Sequence, residues 1–535
     1  MKTKITKINE TGFCGGCGHS RRSFLAGCAK IGAAGALSGL VLPTMLTAEG
    51  CTPRRSMKVR VVFATRGPVT EEADWPNIAF DFNPVMEKYM NALTSGCPKI
   101  EFVQSMAANA EQEKKLVEED NARGDIDGYL LVHLVCSVRL IDHMIGTGKP
   151  FLYVDFLYAG GAGFLESGAR MLRNNVENYA HMPSSNLTYV VAAANCFPLA
   201  KGPGGVRAFV DAVTKIRLDI AAGVNIDMSC IDDKFDILST EDLLKELKTK
   251  KILAFERGYD LIQATKDSLG IEIIRRPFTE LNALWEKADR DQAMEIVKRW
   301  KNNAEAIVGV RDMTLEKSAR MYLAMKQCLK NHDACAITIN CLGGFYDGSI
   351  QAYPCLGFHE LLNEGLIGAC ECDLFSAVTM VVMTTLTKGR PGFISDPVLD
   401  IPGKEIIYAH CVASNKPFGP QGASNPFTIM THSEDRQGAS VRSTLPEGYM
   451  TTSLQMWPGT PRTYEIVIHQ AKSVGNSTDD RACRTKLVAA PVGDYEKLFT
   501  EWDRWGWHRV TYYGDLKEPV FALAGALGWK IIEEA

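Results

Sequence analysis

The chain has 535 residues, 46% of them hydrophobic and 23% charged, with a formal net charge of −4. That length exceeds a single hydrophobic core and implies two to four domains, while the composition excludes a disordered chain. There is no basic excess to hold nucleic acid, and neither helix-turn-helix pattern nor zinc-finger spacing is found.

In chain order, the first feature is a leader. "SRRSFLAGCAKIGAAGALSGLVLPTMLTAEG" carries paired arginines (Arg21, Arg22), then Phe24 and Leu25, then a mild Ala/Gly/Leu stretch. This pattern matches a twin-arginine export signal. It predicts the twin-arginine machinery as a partner and a periplasmic or otherwise exported mature protein. The apolar run 31–42 is too short and too glycine-rich for a spanning helix. Residues 1–53 are therefore set apart from the fold, with cleavage expected near Ala48. The twin-arginine route carries folded proteins, so a weakly held ion such as Mn²⁺ can be loaded before export. Of the 16 cysteines, Cys14 and Cys17 form a Cys-x-x-Cys pair ahead of the arginines. No second such pair completes a zinc set.

After the leader, "KVRVVFAT" (58–65), "DGYLLVHLV" (127–135), "PFLYVDFL" (150–157) and "LTYVVAAA" (187–194) read as buried strands. Helical stretches such as "AEQEKKLVEEDNARG" (110–124) separate several of them. Short apolar strands alternating with helices imply parallel, Rossmann-like α/β units, the first over 57–184. A second unit over 185–387 takes strands from "KILAFE" (251–256), "AIVGVRD" (306–312), "ACAITINCLG" (334–343) and "GLIGACE" (365–371), with amphipathic helices at 290–306 and 315–332. The glycines of "AGGAGF" and "KGPGG" read as tight turns, since neither matches a dinucleotide fingerprint. Beyond 388, short strands separated by Pro, Gly, Ser and Asn imply a mostly antiparallel C-terminal β-domain over 388–535. "EPVFALAGALGWKIIEEA" reads as its closing helix.

Four residues of the last third carry possible chemistry. Glu371 ends the strand in "GLIGACE", Asp396 follows "PGFIS", His410 follows "KEIIYA", and His508 lies in "WGWHRVTYYGD". Strand ends are where sites form in α/β sheets, and carboxylates with imidazole suit a divalent metal such as Mn²⁺. Taken singly, each also reads as a helix cap, a surface charge or a satisfied histidine, and separate strands offer no spacing to decide. Asp373 reads as the N-cap of a helix over 374–387. Cys370 and Cys372 flank Glu371, so in a strand they face away from it as packing residues. A thiol enzyme built on Cys370, Cys372 or Cys341 stays open as well, because Cys372 lies near a helix start.

From about residue 334 onward, "CLGFHELLNEGLIGACECDLFSAVTMVVMTTLTKGRPGFISD", "YAHCV" and "WHRVTYYGDLKEPVFALAGALGW" resemble the L-fucose isomerase / L-arabinose isomerase group of sugar isomerases. The N-terminal half agrees with that group in its α/β pattern alone. The resemblance implies a two-part α/β body and a C-terminal β-domain with a metal site between them. Glu371, Asp396 and His508 would be Mn²⁺ ligands, with His410, which matches the extra histidine of the arabinose isomerases, as a further candidate ligand. It further implies aldose–ketose isomerisation and a homo-oligomer. The metal would hold O1 and O2 of an open-chain sugar. One carboxylate would pass a proton between C1 and C2 through an enediolate while the other assists at the hydroxyl. Trp502, Trp505 and Trp507 are candidates for the pocket wall, with core packing as their other reading. The rival reading is an exported, non-catalytic carbohydrate-binding protein on an isomerase-like fold.

Overall fold

The apolar runs of the first region pair as parallel strands: β1 (Met57–Ala64), β2 (Ile100–Ala107), β3 (Gly128–His133), β4 (Phe151–Asp155) and β5 (Tyr179–Met182), in the order β2-β1-β3-β4-β5. β3 and β4 are buried along their whole length, as expected where helices cover both faces of a parallel sheet. A computed structural model describes residues 56–256, 261–459 and 464–535. The expected twin-arginine leader and the Cys14/Cys17 pair lie outside the described residues.

The segment "LTYVVAAA" is not a strand. It forms α1 (Leu187–Ala194), capped by the Asn186 side chain, which accepts the Thr188 N–H at 3.0 Å. Val190, Ala193 and Ala194 are its buried residues. That is helical spacing, and it overrides the β propensity of Thr188, Tyr189, Val190 and Val191. α2 (Gly205–Gly223) packs on β5 and adds Phe209 and Val213 to the first core.

A second parallel sheet takes β6 (Lys251–Phe255), β7 (Glu272–Arg276), β9 (Ala336–Ile339) and β10 (Ile367–Ala369) in the order β10-β9-β6-β7. The run expected as a strand over 306–312 gives only the short β8 (Ala306–Val308), which lies outside this sheet. Its partner, in parallel, is β13 (Phe427–Met430) of the C-terminal region, which in turn pairs with β14 (Ser440–Ser443). Three helices of this region matter below: α3 (Asp312–Asn331), α4 (Cys341–Tyr346) and α5 (Leu374–Leu386).

The C-terminal region is antiparallel. β11 (Phe393–Asp400), β12 (Glu405–His410), β15 (Met450–Pro458), β16 (Tyr464–Asn476), β17 (Thr485–Pro491) and β18 (Arg509–Tyr513) run in the order β15-β18-β11-β12-β17-β16. β15 also pairs with β16, so the six strands close into a ring. Closure gives each of the six ring strands a neighbour on both sides. The terminal run divides into a helix, Lys517–Leu527, and β19 (Lys530–Glu533), which joins β16 in parallel.

α5 fastens the second sheet to this ring. All its residues except Thr385 are buried, which marks a core helix rather than a surface one. It packs on β9 and β10 on one side and on β15 and β18 on the other. Each fully buried Leu, Val or Met there contributes about 1.5–3 kcal/mol. Gly368 allows β10 its close approach to the preceding helix, since a Cβ at that position would lie 2.7 Å from the Phe358 Cα. The carboxyl end of β10 is thus fixed against the ring. Among the described residues, no helix is long and apolar enough to cross a membrane.

Candidate metal centre

β10 ends at Ala369, and the chain turns at once through Cys370–Cys372 before α5 begins. Glu371 (φ 61°) and Cys372 (φ 53°) both adopt the left-handed backbone. That conformation costs roughly 1–2 kcal/mol for a residue with a Cβ, and such strain concentrates at functional sites. The strand alternation expected for Cys370-Glu371-Cys372 does not hold, because this is a single turn. Cys370 and Cys372 are buried, and the Cys370 sulfur lies 3.3 Å from that of Cys341 at the start of α4. The Glu371 side chain is 29% exposed and is the most accessible of the four candidates.

The other three come from the ring. Register pairs Asp396 of β11 with Ala409, the residue before His410, and Ser395 with Arg509, the residue after His508. Asp396 therefore sits between the two imidazoles. His508 Nε2 lies 3.2 Å from Asp396 Oδ1 and 3.6 Å from Glu371 Oε2, and His410 Nε2 lies 3.6 Å from Glu371 Oε1. The two rings are 5.6 Å apart between centroids. The structure thus brings Glu371, Asp396, His410 and His508 into one cluster.

The cluster has the donors a cation needs. Ligand atoms of Asp396, His410 and His508 lie within 4.8 Å of one another, as do those of Cys370, Glu371 and His410. Nε2 of both histidines is buried without a hydrogen-bond partner, an arrangement native proteins rarely leave uncompensated. The second nitrogen of each ring separates their roles. His508 Nδ1 donates to Asp373 Oδ2 at 3.0 Å, so Nε2, 3.2 Å from Asp396, carries the ring's exchangeable proton in the imidazolium and its lone pair in the neutral ring. A carboxylate behind a histidine in this way is the usual outer shell of a metal ligand. His410 Nδ1 instead accepts the Cys411 N–H at 3.0 Å, which leaves the proton of the neutral ring on Nε2, facing Glu371.

Charge follows the same plan. Burial opposes ionisation of Asp396, yet His508 and His410 outweigh it, and the carboxyl lies below its ordinary value. Asp373 is likewise lowered, burial being overcome by the His508 hydrogen bond. Burial also opposes charge on His508, but Asp373 and Asp396 hold its pKa well above the ordinary imidazole value. A site that gathers acids around an orphaned nitrogen attracts cations, whether protons or metal.

Asp373 caps α5, accepting the Ser376 N–H at 3.1 Å, while its other oxygen holds His508. The cap was legible in the sequence and the second role was not. The first region also reaches the site through the loop after β1. Ile78 N–H donates to the Glu434 backbone at 2.6 Å. The Glu434 carboxyl, hydrogen-bonded by Tyr346, is pushed up to about 7 by burial, with Glu371 and Asp74 adding repulsion. No periodicity or motif singled out Glu434 or Asp74. Among the tryptophans, Trp502 is fully buried under Arg509, Trp505 donates to Glu465 at 2.8 Å, and Trp507 reaches Asp396.

No protein-family model matches the chain. It is 26% identical over 257 residues to the sulfoquinovose isomerase of Clostridium sp. (strain MSTE9), a match covering 46% of this chain and 56% of that protein. It is 20% identical over 307 residues to the sulfoquinovose isomerase of Priestia aryabhattai, covering 55% of this chain and 66% of that one. The chain thus spans between about half and two thirds of the length of these two relatives. Among solved structures, a solute-binding protein of Bacillus halodurans C-125 with bound myo-inositol aligns over 62% of this chain and 89% of its own, at 14% identity and a TM-score of 0.19. That score is too low to bear on fold or function.

Proposed function

We propose that the chain is a metal-dependent aldose–ketose sugar isomerase, acting on an open-chain sugar of the size of sulfoquinovose. The single observation that carries this reading is the buried Nε2 of His508, which makes no hydrogen bond, is backed by Asp373 and lies 3.2 Å from Asp396 and 3.6 Å from Glu371. The similarity to sulfoquinovose isomerases supports it.

Glu371, Asp396 and His508 would hold the ion, Mn²⁺ or another divalent metal, through two oxygens and one nitrogen, a mixed set suited to such cations. When bound, the ion supplies Lewis acidity to adjacent carbonyl and hydroxyl oxygens of the sugar. Glu371, on its strained turn and partly open to solvent, is placed to take a proton from C2 and return it at C1. Asp396, buried between the histidines, stays ionised and assists at the hydroxyl. His410 keeps its proton on Nε2 and donates toward Glu371 or a sugar oxygen. Two carboxylates in unlike surroundings take unlike roles in this way. Export by the twin-arginine route and assembly into a homo-oligomer belong to the same proposal.

The test is exchange of the C2 proton in D₂O, followed by NMR on Mn²⁺-loaded protein with a panel including sulfoquinovose, L-fucose and L-arabinose. The expected result is exchange and ketose formation with at least one sugar, lost in Glu371→Gln. Sugar binding that survives EDTA, with no exchange on any sugar, would replace this reading with the carbohydrate-binding protein.

A further inference from the structure

A cavity of about 440 Å³ opens between the start of α3, α4 and the hairpin of β13 and β14. None of Glu371, Asp373, Asp396, His410 or His508 lines it. Its wall is basic: Arg311, Lys317 and Arg436 contribute, and no acidic residue does. Arg436 is already paired with Asp480 at 2.8 Å. The side chains of Arg311 and Lys317 are exposed and have neither hydrogen-bond nor ion-pair partner among the described residues.

Three further features point the same way. α3 is 20 residues long, and its N-cap, Arg311, makes no side-chain cap, so the positive end of the helix faces this region without a capping side chain. The acid of its first turn, Asp312, is paired elsewhere, with Lys301 at 2.6 Å. Ser318, only 1% exposed, lines the cavity, and its hydroxyl has no partner among the described residues. Phe345 and Tyr353 both line the cavity and stack on each other at 4.2 Å and 14°, with Gly438 packed against the Tyr353 ring, so an aromatic face toward the cavity falls to Phe345. The Tyr353 hydroxyl is held by Asp435, which fixes the ring.

An aromatic face suits the apolar side of a sugar ring, while unpaired cations at a helix start suit an anionic group. From this we infer that the cavity is a second ligand site, separate from the metal centre, for a monosaccharide bearing an anionic group. Two unpaired positive charges on one rim gain little from a neutral sugar, so the anionic group sets the selectivity. The inference is independent of the isomerase reading, since none of its residues takes part in the proposed chemistry.

Calorimetric titration of the full chain in EDTA tests it, with glucose 6-phosphate and glucuronate as probes and glucose as the neutral control. At least one anionic sugar should bind ten-fold or more tightly than glucose, and more weakly as salt is raised. The Arg311→Gln/Lys317→Gln variant changes only exposed side chains and should weaken that binding at least ten-fold. Glu371→Gln/Asp396→Asn should leave it within two-fold. Equal affinity for charged and neutral sugars would overturn the inference. So would indifference to the Arg311/Lys317 change, or loss of binding in the Glu371/Asp396 variant, which would assign the anion to the metal centre.

Discussion

His508 and Arg509 are consecutive in the chain, yet they belong to two buried clusters built on opposite terms. Arg509 lies with Glu534, His469 and Tyr408, and the Arg509, Glu534 and His469 side chains are all 0% exposed. Arg509 Nη2 meets Glu534 at 2.7 Å, His469 Nδ1 meets the same carboxylate at 2.8 Å, and His469 Nε2 meets the Tyr408 hydroxyl. The remaining Arg509 donors go to the carbonyls of Trp502, Trp505, Gly506 and His508. Every polar group has its partner, as a structural network requires. On the other side, His508 and His410 keep unpartnered nitrogens among three carboxylates. One cluster is complete and holds the loop that carries His508. The other is incomplete, as a site proposed to hold a cation should be. The same residue types serve both purposes, so satisfaction rather than composition separates them.

The comparison can be broken from either side, and the largest effect is expected at the complete cluster. Glu534→Gln leaves Arg509 buried without a counter-charge, which typically costs about 3–5 kcal/mol. Urea unfolding should show that loss, whereas Glu371→Gln/Asp396→Asn in EDTA should unfold near the wild-type midpoint. A comparable loss in both variants would remove the distinction.

The next effect is at the link between the two. Asp373→Asn weakens the hold on His508 and should lower Mn²⁺ affinity about 10–100-fold, as outer-shell changes do. Because the carboxylates hold the His508 proton, and a ligand nitrogen must shed it first, Mn²⁺ affinity should rise with pH through a range above that of ordinary imidazole. Equilibrium dialysis over a pH series measures both.

Acid stability sharpens the contrast further. Burial alone would raise the Glu534 carboxyl, but Arg509 and the His469 hydrogen bond hold it at about 2. An unfolded glutamate titrates near 4.3. The stabilisation is therefore full above that value and is lost as pH falls toward about 2. Glu534→Gln should lack this acid-dependent component.

The smallest effect concerns His410. With its Nδ1 engaged by Cys411, His410→Gln should change Mn²⁺ affinity by less than about three-fold while slowing turnover about 10²-fold or more, as loss of a proton donor does. Loss of the metal in that variant would make His410 a ligand.

Much of this was legible in the sequence for physical reasons. Buried parallel strands are continuous apolar runs, so β1, β3, β4 and β6 were readable as they stand. The ends of apolar runs marked Glu371, His410 and His508 as residues at a sheet's carboxyl end or ring rim. What escaped depends on tertiary context. "LTYVVAAA" has β-branched residues in a helix, and only Asn186 as a cap and the 190/193/194 spacing tell against a strand. The left-handed turn at Glu371 and Cys372 uses no glycine, so nothing local announces it. The pairing of Asp373 with His508 joins residues 135 apart, beyond any local pattern. β8 looked like its neighbours but pairs with β13, a partner more than a hundred residues away.

The most direct measurement is Mn²⁺ binding by calorimetry to the wild type and to Glu371→Gln/Asp396→Asn, with circular dichroism as the check on folding. About one ion per wild-type chain, and none in a folded double variant, is the predicted result. Equal binding by both proteins, or no binding by a folded wild type, would contradict the metal centre.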